Sequence, residues 1–295
     1  MRFGVVCLPT DPWLRWRRRA EHLEVLGYDH LWTYDHLSWR HYVDGPWHAS
    51  LPLLTATAAV TSRIRLGTLV SSPNFRHPVT LAKDAMTLDE ISAGRLTLGI
   101  GSGGTGFDAR TLGGEPWPPS ERGERFAEFV ELLDRLLREP STTWSGRYYA
   151  AHEARMIPGS VQRPRVPLAV AAAGPRALAL AARYGDAWVT FGDPKSAEPT
   201  PEHTARAVRE QLARLEDECE RIGRDPAEID RILLAGNTPE RPLSSVDAFG
   251  EFATRYRELG ITDLVVHHPR HDDPQWNDAP DILDKIAAEV LPALR

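Results

Sequence analysis

Cysteine is nearly absent from this chain of 295 residues: Cys7 and Cys219 stand alone, with no framework spacing between them. That excludes a disulfide scaffold and points to a reducing cytoplasm. Long apolar runs are missing as well. None approaches the roughly 20 residues of a membrane span. The opening MRFGVVCLPT is too short an apolar run for a signal peptide and lacks a small-residue cleavage site. Positive charge is not in excess, and a formal net charge of -6 removes bulk attraction to nucleic acid or an anionic membrane. There is no GxSxG and no P-loop. Nor is there an internal repeat, a low-complexity tract or a composition break, so residues 1–295 read as one domain.

What is present is an ordinary globular composition, 42% hydrophobic and 26% charged. The most informative stretch is 66–106, LGTLVSSPNFRHPVTLAKDAMTLDEISAGRLTLGIGSGGTG. A run of β-formers ends at a loop bracketed by Pro73 and Pro78. Val79, Ala82, Met86, Leu88 and Ile91 then return at near-helical spacing, and Gly94 sits where a helix C-cap belongs. Residues 96–100, LTLGI, form a second buried strand. Strand, helix and strand at this length make a right-handed βαβ unit of a parallel sheet.

The same alternation runs through the chain. Strands are expected over 2–8, 30–34, 64–70, 96–100, 168–173, 186–190, 229–235 and 263–267. Helices are expected over 13–26, 50–60, 79–91, 120–137, 175–184, 202–222, 245–259 and 278–294, with a β-hairpin signal at 142–149. Eight strand–helix pairs predict an α/β fold, a single-domain (β/α)8 barrel with insertions at its C-terminal face. On the first helix Leu14, Ala20, Leu23 and Leu26 are expected to face inward. Arg15, Arg17, Arg18 and Arg19 read as a solvated face rather than a nucleic-acid patch.

Four segments carry candidate chemistry. Residues 101–106, GSGGTG, match GxGxxG after a strand, but 107–119 reads as loop and no acidic residue ends a second strand about 20 residues on. The better reading is backbone bare enough for a flat ring to approach Gly101, Ser102 and Gly103. Ala173-Gly174-Pro175-Arg176 turns a strand into a helix whose free N-terminal amides suit an anion; the alternative is a tight turn without ligand. Asp35-His36 ends strand two with Trp39 nearby, a natural place for proton transfer near neutral pH. Residues 267–273, HHPRHDD, suggest a metal cluster at first sight, and with it the alternative of a metal-dependent barrel hydrolase. No HxH ends strand one and no clear ligand ends strand four, so a substrate-contacting loop or solvated tail is the better reading and no metal is expected.

The stretch LGTLVSSPNFRHPVTLAKDAMTLDEISAGRLTLGIGSG, with AAAGPRALALAARYGDAWV at 171–189, resembles the bacterial luciferase-like monooxygenase family. The resemblance implies an oxidoreductase transferring a hydride between coenzyme F-420 (F420), a deazaflavin, and a small organic substrate, with a reduced-FMN monooxygenase as the alternative. It implies an Asp-His pair like Asp35-His36 beside the reactive ring carbon, with Trp39 close to the position of a further tryptophan. It places the ring against Leu69, Val70 and Ser71, with a non-proline cis peptide at Leu69–Val70 and the cofactor phosphate around Gly174. Some sugar-phosphate dehydrogenases of the deazaflavin branch carry a catalytic glutamate after strand four; Gly103-Gly104 stand there in this sequence. A homodimer is expected through 49–60, which is more apolar than a one-faced helix needs. Substrate selection is expected from the loops at 39–47, 107–120 and 192–201.

Overall fold

The computed structural model describes residues 1–39, 42–104, 106–193, 200–236 and 240–295. Of the expected substrate loops, residues 40–41 and 194–199 lie outside this set, as does Thr105 of the glycine run. The chain alternates β1 (Arg2–Val6), α1 (Trp13–Val25), β2 (His30–Thr33), α2 (Ser50–Val60), β3 (Arg65–Ser71), α3 (Pro78–Ile91) and β4 (Leu96–Ile100). Between the fourth and fifth barrel strands come α4 (Phe107–Thr111), α5 (Pro119–Arg138) and a hairpin of β5 (Ser141–Ser145) and β6 (Ala150–Arg155). The rest is β7 (Leu168–Ala171), α6 (Pro175–Tyr184), β8 (Ala187–Thr190), α7 (Pro201–Ile222), β9 (Asp230–Leu234), α8 (Val246–Glu258), β10 (Asp263–His267), α9 (Ile282–Glu289) and α10 (Leu291–Leu294). The eight barrel strands close in the order β1-β10-β9-β8-β7-β4-β3-β2. Parallel strands buried on both faces explain their near-continuous apolar runs.

The barrel interior is its own small core, with Val6, Trp32, Ala169, Ile232 and Val265 packed inside the ring of strands. Trp32 fills the interior because its neighbours leave room. A Cβ on Gly67 would meet the indole at 2.2 Å, and one on Gly4 would meet it at 2.8 Å. The mouth above this plug is where side chains from the strand ends converge. The Leu69–Val70 peptide is cis, as expected, at the point where the β3–β4 register shifts between Thr68 and Ser71. On β4, a Cβ at Gly99 would lie 1.9 Å from the Thr68 carbonyl oxygen, so only glycine accommodates the bulge there.

Several expectations need correction. The segment 107–119 is not all loop: α4 opens directly after Gly106, whose φ of 70° is open to glycine at little cost. The closed barrel still excludes a dinucleotide-binding sheet. On α1, Leu14 points to solvent and Trp16 takes the inward place, its indole N–H donating to Thr57 Oγ at 2.8 Å. Of the arginines read as a solvated face, Arg17 pairs with Glu21 at the surface, whereas Arg19 is half-buried against Asp11. The closing helix starts at Ile282 and breaks before α10, whose first turn holds Pro292. The hairpin lies along α5, where Glu128 accepts from the amides of Arg147, Tyr148 and Tyr149. Leu51, Leu53 and Leu54 of α2 are buried within the chain itself, which accounts for the apolar excess read there as a partner-facing surface.

Candidate active site

Tyr34, Asp35 and His36 follow the end of β2, and their side chains take different directions. Asp35 is fully buried and faces away from the mouth. Its carboxylate accepts from Ser50 Oγ and Ser71 Oγ, both at 2.5 Å, and from Arg76 Nε at 3.0 Å and Arg76 Nη2 at 2.6 Å. It ties β2 to α2, to β3 and to the loop before α3. Asp35 is therefore a scaffold residue and not the partner of His36, as the adjacent pair in sequence suggests. The same bond explains why Ser71 does not line the cavity.

The partner of His36 is Asp108 in the first turn of α4. Its Oδ2 lies 2.7 Å from His36 Nδ1, and its Oδ1 accepts from the Leu37 amide at 2.7 Å. Asp108 is buried, so this carboxylate is committed to the segment after β2. An ionised carboxylate only accepts, so Nδ1 carries a proton toward Asp108 and Nε2 is the ring nitrogen left for chemistry. Trp39 stacks on the imidazole with centroids 4.3 Å apart and planes 20° apart, and Trp47 donates its indole N–H to the His36 carbonyl at 2.8 Å. Sequence reasoning missed Asp108 because a helix of five residues is too short to announce itself by periodicity.

His36 and Trp39 form one wall of a cavity of about 640 Å³. The β3 end contributes Leu69, Val70 and Ser72, and the β4 end contributes Gly101, Ser102 and Gly103. At the far side Ala173 and Gly174 precede α6. A Cβ on Gly174 would meet nothing within 4 Å, so open space lies against the first turn of that helix. Pro175 and Arg176 are in the turn and exposed, and neither lines the cavity. Ser72 lines the cavity, and its buried hydroxyl has no partner among the described residues. Arg122 reaches the same region, with Nη1 3.4 Å from the Gly104 carbonyl oxygen.

Opposite His36, the end of β10 supplies His267, which is buried against Trp276 with centroids 4.4 Å apart. Burial, reinforced by the positive charge of Arg270, holds its pKa well below the ordinary histidine value. The HHPRHDD segment is thus a cavity-lining loop and not a solvated tail. Among the described residues no three His, Cys, Asp or Glu side chains gather in the manner of a metal site. Tyr34 and Trp276 also line the cavity and carried no sequence signal of their own.

The sequence profile described as luciferase-like monooxygenase matches residues 1–242. The F420-dependent glucose-6-phosphate dehydrogenase of Beutenbergia cavernae is 34% identical, covering 92% of this chain and 90% of that protein. The 4-hydroxyprotoasukamycin monooxygenase of Streptomyces nodosus subsp. asukaensis is 33% identical over 85% of this chain and 66% of its own length. Among solved structures, an F420-dependent secondary alcohol dehydrogenase in complex with an F420-acetone adduct superposes with a TM-score of 0.81 at 18% identity, covering 100% of this chain and 99% of that one. At that identity the likeness speaks to fold.

Proposed function

This chain belongs to the luciferase-like monooxygenase family, and from that premise we propose that it is an oxidoreductase transferring a hydride between coenzyme F420 and a small organic substrate. The observation that carries the reading is the continuity of the cavity, from the His36–Trp39 wall across bare glycine backbone to the open N-terminus of α6. The residues present fit a flat ring with a phosphorylated tail. The Ser72 hydroxyl is buried in the cavity wall without a partner among the described residues. The space beside Gly174 is open where helix amides and dipole favour an anion. Leu69, Val70 and Gly101 to Gly103 would back the ring, and Gly174 with the first turn of α6 would hold the phosphate. When bound, the deazaflavin gives or takes the hydride and reacts poorly with oxygen. His36 holds or accepts the substrate proton at Nε2, Asp108 fixes its tautomer, and Trp39 shields the ring face from water.

The sugar-phosphate substrate in the names of the dehydrogenase relatives is not carried over, because Gly103-Gly104 stand where the glutamate acid is expected. Titration of the purified protein with F420 and with FMN tests the cofactor. Saturable F420 binding with substrate-dependent reduction is expected. Tight FMN binding with oxygen-dependent turnover, and no F420 binding, would replace this reading with the reduced-FMN monooxygenase. In the same titration Gly174→Val is expected to weaken F420 binding roughly tenfold, about 1.4 kcal/mol, with the thermal transition nearly unchanged. The native φ of -98° suits valine, so crowding of the ligand is the only new cost of size. Unchanged affinity would count against the phosphate placement.

Two further properties belong to this proposal. Both cysteines are free and buried, which supports a reducing cytoplasm; among the described residues no helix is long and apolar enough to cross a membrane. A homodimer rests on the family resemblance, now without the α2 leucines as its surface. Light scattering at micromolar concentration is expected to give twice the 32.9 kDa chain mass, and a monomer mass would reject it.

A further inference from the structure

The cavity has two halves of different chemistry. One is backbone and small side chains, running from Val70 across Gly101 to Gly174. The other is built of rings, supplied by the ends of β2, β8 and β10 and by the segments that follow β2 and β10. Two stacks stand there. Trp39 lies on His36 with centroids 4.3 Å apart and planes 20° apart, and Trp276 lies against His267 with centroids 4.4 Å apart and planes 33° apart. Tyr34 joins the two stacks. Its ring is 5.8 Å from Trp39 at 82° and 5.5 Å from His267 at 85°. The five rings thus make one edge-to-face array, at the spacings and angles that aromatic pairs prefer. Phe191 lines the same half after β8, and Tyr34, Trp39 and Phe191 are only half-buried where they do so.

The charged side chains that line the cavity are Arg122, Arg270 and Asp273. Arg270 and Asp273 pair at 2.6 Å. Arg122 stands in the other half, with Nη1 3.4 Å from the Gly104 carbonyl oxygen. A Cβ on its neighbour Gly123 would lie 3.8 Å from Arg176 Nη1, in the first turn of α6, so the Arg122 charge sits with the α6 end of the cavity.

We propose that the substrate class is aromatic: a ring of the substrate extends the Trp39–Tyr34–His267–Trp276 array, and this wall is the specificity determinant of the site. The inference deepens the hydride-transfer reading and rests on it for the word substrate; the affinity of the wall for an aromatic ring does not depend on it. An aliphatic wall would accept any apolar group of the right size. A wall of ring faces and edges also distinguishes a ring with a quadrupole from a saturated one.

Acetophenone and cyclohexyl methyl ketone share one skeleton and one carbonyl group, and they test the difference. The saturated ketone has at least as much apolar surface, so burial alone predicts equal or tighter binding for it. Calorimetry on the F420-saturated protein is expected to show acetophenone binding about threefold to tenfold more tightly, the usual worth of an aromatic contact beyond its area. Equal affinities, the reverse order, or no saturable binding of either ketone overturns the proposal. Displacement of acetophenone by F420 also overturns it, since the wall would then belong to the cofactor. Trp276→Leu keeps an apolar side chain and is expected to bring the two ketones within about twofold; the full native preference in that folded variant rejects the wall as its source. Where the variant does not fold, the native comparison decides alone. Failure of F420 to bind, with acetophenone still preferred by the unloaded protein, sinks the cofactor assignment and leaves the aromatic one standing.

Discussion

Replacing His36 by alanine is expected to lower turnover about 10²–10⁴-fold, the usual cost of losing a positioned proton-transfer group, while F420 affinity stays within about threefold. The expectation follows from the wiring of the ring. Asp108 holds Nδ1 at 2.7 Å, so Nε2 is the only ring nitrogen left to take or return a proton. Trp39 keeps the imidazole flat against its own face, so the direction of Nε2 is fixed before substrate arrives. Asp108→Asn sharpens the test. An asparagine there still accepts from the Leu37 amide through Oδ1, but its amide nitrogen donates to His36 Nδ1. The imidazole must then carry its proton on Nε2, and the acceptor is lost without loss of shape. Turnover is expected to fall by a similar order with binding kept. If His36 only packs against the ring, both variants weaken binding and leave turnover at saturation nearly unchanged. That outcome would remove the proton role.

Acidification is expected to unfold this protein steeply below about pH 6. Three histidines are buried in neutral form. His30 is lowered to about 3, by burial first and then by Arg65 and Arg2. His268 is lowered to about 4, by burial first and then by Arg19. His267 is lowered well below its ordinary value by burial and by Arg270. In the unfolded chain each returns to roughly 6.5. The unfolded state therefore binds more protons than the folded state throughout the window below about pH 6.5, and stability rises with pH across it. The contribution is complete above that window and is lost as pH falls toward 4. Each such group is worth about 1.4 kcal/mol per pH unit inside the window, so three together give a slope of about 4 kcal/mol per pH unit. Urea midpoints at pH 7, 6 and 5 measure it. Equal stability at pH 7 and pH 5 would show that these rings are not buried neutral.

The sequence by itself determined the barrel. Strand and helix periods alternate eight times, and proline and glycine mark nearly every junction, as at Pro73, Pro78 and Gly94. These signals are local: a residue's propensity and the spacing of its apolar neighbours are set within one or two turns of chain. The same locality made the strand-end glycines and the Gly174 turn legible as bare backbone, and they line the cavity.

Tertiary structure alone decided which side chains pair. Asp35 and His36 are adjacent in sequence, but successive residues of an extended segment point opposite ways. Asp35 goes to Ser50, Ser71 and Arg76 behind the sheet, and His36 goes to Asp108, 72 positions along the chain. Closure places β10 beside β1 and brings His267 to Tyr34 across 233 positions. Whether α2 shows its leucines to a partner or to its own core was likewise decided by what packs over it. Those pairings depend on how the whole barrel buries its surface, a sum over many small contacts that no short stretch of sequence contains.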